Sequence, residues 1–356
     1  MPELASSPKD LEALSARLGD SGDLAVDCEF VRERTFWPQL GLIQLAADGE
    51  IVLLDPLALA DPAPLKQLFA HARRILMHAP GEDLECFLHQ YGWAPEPLFD
   101  TQLAAAFVGR GAGLGYRALV QQIIGIELDK GETRSDWLRR PLSDAQLRYA
   151  AADVLHLQAV ADTLDRELDA QGKRDWFEED CRQALDKAIA QQAPPDGRLE
   201  ARQLSRLSDR AALRLQRILL WRERCARARN RPKGWLLDNE TCVRLAALPE
   251  HDRAAHDALF REARKAAGFA SDELWTLLQS APEPGLPALP QRPALPDSAY
   301  RALFAELQRR VAAVAEQQQL PASLLFPRRL IEALIDAGSW PEGVTGWRET
   351  LLRAPL

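Results

Sequence analysis

LAVDCEFV, residues 24–31, reads as a strand with two acids inside it. Residues two apart on a strand point to the same face, so Asp27 and Glu29 share a face about 7 Å apart. Like charges that close repel unless something cationic lies between them. The pair is therefore either an exposed edge with two solvated acids or half of a metal site. Outward from it lie two more short apolar runs, GLIQLA (41–46) and EIVLLD (50–55), separated by turn-like WPQ and ADG. That spacing predicts an antiparallel meander. PAPLKQLFAHA then reads as a helix, RILMHA as a buried strand, and EDLECFLHQYG as a helix closing on glycine. Helical patterns follow at Asp100–Val108, Tyr116–Ile124 and Ser143–Leu164. Three antiparallel strands followed by strand–helix alternation predict an α/β domain with a mixed sheet.

Beyond residue 169 no strand signal survives. QQAPPDG (191–197) reads as a linker, and APEPGLPALPQRPALP (281–296) carries six prolines that exclude a helix or a central strand. The helical segments they delimit resemble each other at an offset of 89. Pro232, Trp235, Leu236, Leu237, Cys242 and Leu245 align with Pro321, Leu324, Leu325, Phe326, Ile331 and Leu334, which implies a duplicated helical module.

A chain of 356 residues is too long for one ordinary core. Its 47% hydrophobic and 27% charged residues are ordinary for a globular protein. Apolar stretches are broken by charge before they could span a membrane, and MPELASSPKDLEAL lacks a signal-like apolar core, so the expectation is a cytoplasmic protein with no membrane partner. Five scattered cysteines without a CxxC pair argue against structural zinc and against a disulfide framework. The net charge of −8 opposes a nucleic-acid partner, but its distribution does not. Residues 201–234 hold eleven Lys/Arg against Asp209 and Glu223, so this segment is +9 and the remainder −17. Basic residues recur there at 202, 206, 210, 214 and 217, close to helical spacing, and again in RERCARARNRPK. Such a face would grip phosphates without sequence preference, with Arg227, Arg229, Arg231 and Lys233 as contacts. The plainer alternative is a solvated helix face.

Three further positions complete the chemistry. Asp83, in HAPGEDLE, sits near a helix start, where an acid also simply complements the dipole. Tyr149 and Asp153 lie four apart on one helical face, which equally describes a core tyrosine beside an exposed acid. Together with Asp27 and Glu29 they supply four carboxylates and a phenol. Two divalent cations take hard oxygen ligands of this kind and serve in-line phosphoryl displacement. A tyrosine beside them could hold or deprotonate the attacking water. The six histidines show no metal-ligand spacing; His78 and His156 read as core or surface residues.

In three stretches, DCEFVRERTFWPQLGLIQL (27–45), MHAPGEDLECF (77–87) and SDWLRRPLSDAQLRYAAADVLHL (135–157), the chain resembles ribonuclease D, in the YxxxD subgroup of the DEDD 3′–5′ exonucleases. WRERCARARNRPKGWLLDNE resembles the HRDC domains that this family shares with RecQ-type helicases; the second module is similar mainly by position and repeat, and its basic tip has become EQQQLPA. The resemblance implies an RNase H-like mixed-sheet exonuclease domain over 1–168 and a helical connector and linker over 169–200. It further implies HRDC-like all-α domains over 201–281 and 297–356, joined by a Pro-rich linker, 282–296. It implies that Asp27, Glu29, Asp83 and Asp153 hold two Mg²⁺ or Mn²⁺ ions. Asp27 would bridge them, Glu29 and Asp153 would complete the first site, Asp83 would serve the second, and Tyr149 would orient the attacking water. The implied activity is release of 5′-mononucleotides from RNA 3′ ends, with tRNA precursors as substrate class and no obligate protein partner evident. Phe36 and Trp37 could stack on a terminal base or cap the sheet core, and Arg134 and Arg139 could touch phosphates or be merely solvated. A DNA 3′–5′ exonuclease and an inactive RNA-binding scaffold are the alternatives; the intact acids and Tyr149 speak against decay.

Overall fold

The computed structural model describes residues 3–5, 9–12, 22–59, 61–129, 135–199, 201–204, 207–263, 271–290, 297–341 and 343–356. Its centre is strand β2 (Asp23–Val31), following β1 (Glu3–Ala5). β2 pairs antiparallel with β3 (Gln39–Ala47), which pairs antiparallel with β4 (Glu50–Leu54). This is the predicted meander. On its other side β2 runs parallel to β5 (Arg74–Met77), which pairs in parallel with β6 (Leu98–Asp100). β1 adds in parallel to β4, giving the mixed order β1-β4-β3-β2-β5-β6. Leu24, Ala25 and Val26 are all buried, as expected of a central strand covered on both faces.

Helices α1 (Ala63–His71), α2 (Gly81–Tyr91), α3 (Thr101–Phe107) and α4 (Tyr116–Ile124) alternate with or follow these strands. Asp100 caps α3, its side chain accepting from the amides of Gln102 and Leu103, so it precedes the helix that the sequence had begun there. The predicted helix Ser143–Leu164 is two, α5 (Asp144–Leu155) and α6 (Leu157–Ala170). They break at His156, whose amide donates to the Tyr116 hydroxyl at 3.1 Å. Ser143 and Gln146 form a reciprocal capping box at the start of α5.

α2 and α5 cover opposite faces of the sheet. Cys86 and Phe87 of α2 share a core with Cys28, Ile43 and Leu45, whereas Ala150 of α5 packs with Leu42, Leu53 and Trp137. By strand alternation Asp27 and Glu29 point to the α5 side, and Cys28 points away into the core.

α7 (Arg174–Gln192) leads into the helical part, α8 (Asp209–Ala228), α9 (Lys233–Leu236), α10 (Asn239–Ala247), α11 (Arg253–Ala263) and α12 (Ser271–Gln279). After the Pro-rich stretch come α13 (Asp297–Gln317), α14 (Ala322–Leu325), α15 (Arg328–Ala337) and α16 (Gly346–Leu352). The offset of 89 holds in the turn that precedes each short helix. Asn230 and Gln319 both have positive φ, 47° and 52°. The amides of Arg231 and Leu320 close the same turn on the carbonyls of Ala226 and Ala315. Pro232 and Pro321 then cap the matched short helices α9 and α14.

The two copies bury themselves differently. The first has its own core around Leu215, Ile218, Trp221, Leu236 and Phe260. The second joins the core of the sheet: Trp347 stacks on Trp176 at 5.2 Å and meets Phe107 at 5.5 Å. Its indole donates to buried Asp180, which also pairs with Arg348.

Candidate active site

β2 runs on past its last β5 pair, Ala25–Leu76, and Asp27 and Glu29 lie on this overhang. A register shift falls immediately after Glu29, where Gly41 of β3 is the extra residue. Gly41 has no alternative, because an added Cβ would lie 2.6 Å from the Trp137 carbonyl oxygen. Arg140 locks this corner: its guanidinium donates to both oxygens of Asp55 at 2.6 Å and to the carbonyls of Gly41 and Trp137. Burial alone would raise Asp55, but the Arg140 fork outweighs it and holds that carboxyl below the ordinary range. Behind β5 the chain turns through Ala79, a non-glycine residue at φ 53°, into α2. Such a conformation is uncommon and concentrates near functional sites. The Ala79 amide donates to Asp100 at 3.0 Å, and the turn delivers Asp83 in the first turn of α2.

The structure thus brings all five predicted catalytic residues together from three elements. Oxygens of Asp27, Glu29 and Asp153 lie within 4.8 Å of one another. Asp83 stands outside that trio but is near enough for its charge to act on Asp27. Tyr149 hydrogen-bonds Asp153 one helical turn away, and its ring lies 6.1 Å from buried Trp137.

Every acid of the group is pushed toward its neutral form. Burial and the charges of Asp83, Asp153 and Glu29 raise Asp27 far above the carboxylate range. Burial, with Asp153 and Asp83, pushes Glu29 up to about 8. Burial pushes Asp83 to about 7 despite hydrogen bonds from the amides of Cys28 and its own residue. Burial likewise takes Asp153 to about 7, moderated by Tyr149 and by the charge of Arg117. Four carboxylates with no adequate counter-charge among the described residues form a donor set that suits hard divalent cations. Among the described residues the trio is the group whose oxygens lie close enough together to hold an ion. His78 is no ligand: its ring nitrogens engage Thr101 at 2.9 Å and the Leu114 carbonyl at 3.0 Å, and burial lowers it to about 4.

The expected RNA contacts divide. Phe36 is only 8% exposed, inside the core of the first helical module, so it offers no ring face to a base. Trp37 stacks on His89 at 4.6 Å, and Arg227 lies 5.3 Å from its ring. Base stacking on this pair is therefore corrected, because protein occupies the faces that a base would need. Arg227 is corrected too. It pairs with Glu223 and donates to the carbonyls of Gln191, Gln192 and Ala193 at the end of α7. Arg229, Arg231, Lys233 and Arg139 are exposed, while Arg134 lies outside the described residues.

The supposed basic stripe is not one face. Arg214, Arg217 and Arg222 are buried. Arg217 donates to the carbonyls of Leu277, Ser280 and Ala281, capping the end of α12, and Arg222 donates to the Leu237 carbonyl. The sequence reading also passed over Arg140, Ala79 and Asn230. Arg140 adjoins the arginine singled out instead, and nothing in ordinary composition marks the other two.

Comparison with known proteins agrees with this geometry. The sequence model of the 3′–5′ exonuclease family matches residues 2–169. Ribonuclease D of Xanthomonas oryzae is 40% identical over 362 residues, covering 100% of this chain and 98% of that protein. The Escherichia coli ribonuclease D is 34% identical over 344 residues, 94% of this chain and 91% of that one. The crystal structure of the E. coli enzyme, described as an exoribonuclease involved in structured RNA processing, superposes with a TM-score of 0.87 at 32% identity over 99% of this chain and 97% of that one. The catalytic core of Rrp6 from Trypanosoma brucei shares the fold, with a TM-score of 0.56 at 19% identity over 78% of each chain. Full-length similarity, the mixed sheet and the convergent acids agree: the chain belongs to the ribonuclease D family of 3′–5′ exoribonucleases.

Proposed function

We propose that the chain is a two-metal-ion enzyme that removes 5′-mononucleotides one at a time from the 3′ ends of structured RNAs, tRNA precursors among them. The observation that carries this reading is the trio Asp27, Glu29 and Asp153, whose oxygens lie within 4.8 Å and whose burial disfavours their charge. A fold that keeps such a cluster needs a positive partner, and the family's chemistry names one. Asp27, Glu29 and Asp153 would hold the first Mg²⁺ or Mn²⁺ ion, and Asp83 with Asp27 the second. Bound cations supply positive charge beside the attacking and leaving oxygens of the phosphodiester. Tyr149, fixed by its hydrogen bond to Asp153, orients the attacking water.

On this reading residues 1–168 are the exonuclease domain, 169–200 the connector, and 201–281 and 297–356 HRDC-like modules joined by 282–296. Arg139, Arg229, Arg231 and Lys233, all exposed, supply sequence-independent attraction to phosphates in an otherwise acidic chain acting in the cytoplasm.

The test is release of label from 3′-labelled structured RNA, and from DNA of the same sequence, with Mg²⁺ or with EDTA. The expected result is metal-dependent release from RNA in preference to DNA. Release that persists in EDTA would remove the metal mechanism, equal release from DNA would remove the RNA assignment, and binding without release would mark a scaffold.

A further inference from the structure

Asn230, at the tip of the first repeat's turn, reaches into the catalytic half of the molecule. Its side-chain oxygen accepts from two consecutive amides, Phe36 at 2.9 Å and Trp37 at 3.0 Å. The loop it holds, 32–37, is the direct continuation of the strand that carries Asp27 and Glu29. On its far side the same loop is tied to α2, the helix that carries Asp83. Arg32 forks onto both oxygens of Glu85 at 2.6 and 3.0 Å, and its Nε donates to the Phe36 carbonyl at 3.0 Å. Trp37 stacks on His89, one turn further along α2. Arg231 donates to the Arg34 carbonyl at 3.3 Å, and Thr35 donates to the Trp37 carbonyl at 2.7 Å. Loop 32–37 is thus pinned from both sides, by the helical module and by α2.

The conformation of Asn230 is part of the device. Asparagine is among the few non-glycine residues that tolerate positive φ, and at 47° the turn points its amide outward. The matched turn of the second copy presents a backbone atom instead: the Gln319 carbonyl accepts from buried Lys173 at 3.1 Å. One turn geometry, used twice, therefore docks both modules on the sheet domain, but only the first copy docks on the rim of the acid cluster.

We propose that Asn230 is a positioning residue for the exonuclease reaction: by holding the Phe36 and Trp37 amides it fixes loop 32–37, and through that loop it keeps Glu29 and Asp83 in register. The first helical module then contributes to the chemical step as well as to RNA binding. This rests on the acids being the catalytic groups. Misplacement of a catalytic group by about 1 Å can cost on the order of a hundredfold, so loosening a tether one step removed should cost about tenfold.

The test is single-turnover trimming of a 3′-labelled RNA by the full-length chain with Mg²⁺, where the plateau rate at saturating enzyme isolates chemistry and the half-saturating concentration reports binding. Asn230→Gly keeps the positive φ and deletes the acceptor; Asn230→Asp keeps both. The expected result is a plateau about tenfold lower for Asn230→Gly, with half-saturation unchanged, and recovery to within about threefold for Asn230→Asp. A full plateau for Asn230→Gly, or an Asn230→Asp plateau as slow as that of Asn230→Gly, overturns the proposal. If Asn230→Gly loses its cooperative melt, Arg32→Gln severs the other end of the tether without touching the module; it should lower the plateau likewise, and a full plateau overturns the idea. Asp27→Ala separates the two levels: activity surviving that change defeats the catalytic reading itself, whatever Asn230 does.

Discussion

Asp23 and Asp27 lie four residues apart on β2, point to the same face, and meet opposite fates. Asp23 is buried, with Arg73 donating to its oxygens at 2.8 and 2.9 Å, Arg74 at 2.6 and 3.2 Å, and Gln158 at 3.1 Å. Burial on its own would raise its pKa; the two guanidinium groups overcome that and lower it to about 2. Asp27 is surrounded by Glu29, Asp83 and Asp153 and is driven the other way. The same residue type on the same strand is thus neutralised within the chain at one end and left unneutralised at the other. A fold able to supply two arginines to Asp23 could have supplied one to Asp27. That it does not is what the proposed cation site requires of the fold.

Exchanging a carboxylate for an amide at each end breaks or sharpens that contrast. Asp27→Asn should lower turnover about a thousandfold, the loss of several kcal/mol of transition-state stabilisation, while a urea melt of the metal-free protein shows equal or higher stability. Asp23→Asn should do the reverse. Left facing a neutral amide, Arg73 and Arg74 lose their main counter-charge, and stability falls by about 3 kcal/mol in the same melt while the turnover of folded enzyme is retained. If Asp27→Asn destabilised and Asp23→Asn inactivated, the contrast would be inverted. Tyr149→Phe should reduce the single-turnover rate about a hundredfold with little change in RNA binding, since it removes an orienting hydroxyl and keeps the ring against Trp137.

The smallest effect is in pH. Glu29, Asp83 and Asp153 have folded pKa values raised to between about 7 and 8 from unfolded values of about 4. Groups raised in this way stabilise the fold at low pH and cease to do so as pH rises through their folded values. In EDTA the melting temperature should therefore drop between pH 5 and pH 8.5, and Mg²⁺ should restore more of it at the alkaline end. Asp23, depressed, acts oppositely, and its contribution is lost only as pH falls toward about 2. A melting temperature in EDTA that rose steadily across pH 5 to 8.5 would mean that the acids are already neutralised within the chain.

Much of this could be read from the sequence, and what could not has identifiable causes. β2 to β5 announce themselves by apolar runs between turns, and the spacing of Asp27, Glu29, Tyr149 and Asp153 survives folding because i+2 on a strand and i+4 on a helix are local facts. β1 and β6, three residues each, are too short to show a period. Asp23 could not be told from Asp27, because its partners arrive only in three dimensions, through the register of β2 against β5, which sets Arg74 opposite Asp23, and through the packing of α6, which brings Gln158. The arginines of α8 misled for the same reason. The acceptors of Arg217, Arg222 and Arg224 are helix-end carbonyls and Glu283, most of them far along the chain, so these three, which look unpaired locally, find partners in three dimensions, while Arg214 is buried among the core residues. Phe36 and Trp37 followed suit: aromatic residues beside a catalytic motif suggested stacking on bases, and the fold uses them against its own helical module.

Calorimetric titration of Mn²⁺ into the metal-free chain at neutral pH bears on all of this at once. Uptake of two ions per chain, with at least one lost in Asp27→Asn and neither lost in Asp23→Asn, is the predicted result. No uptake by the unaltered chain at millimolar Mn²⁺, or two ions bound with unchanged affinity by Asp27→Asn, would contradict it.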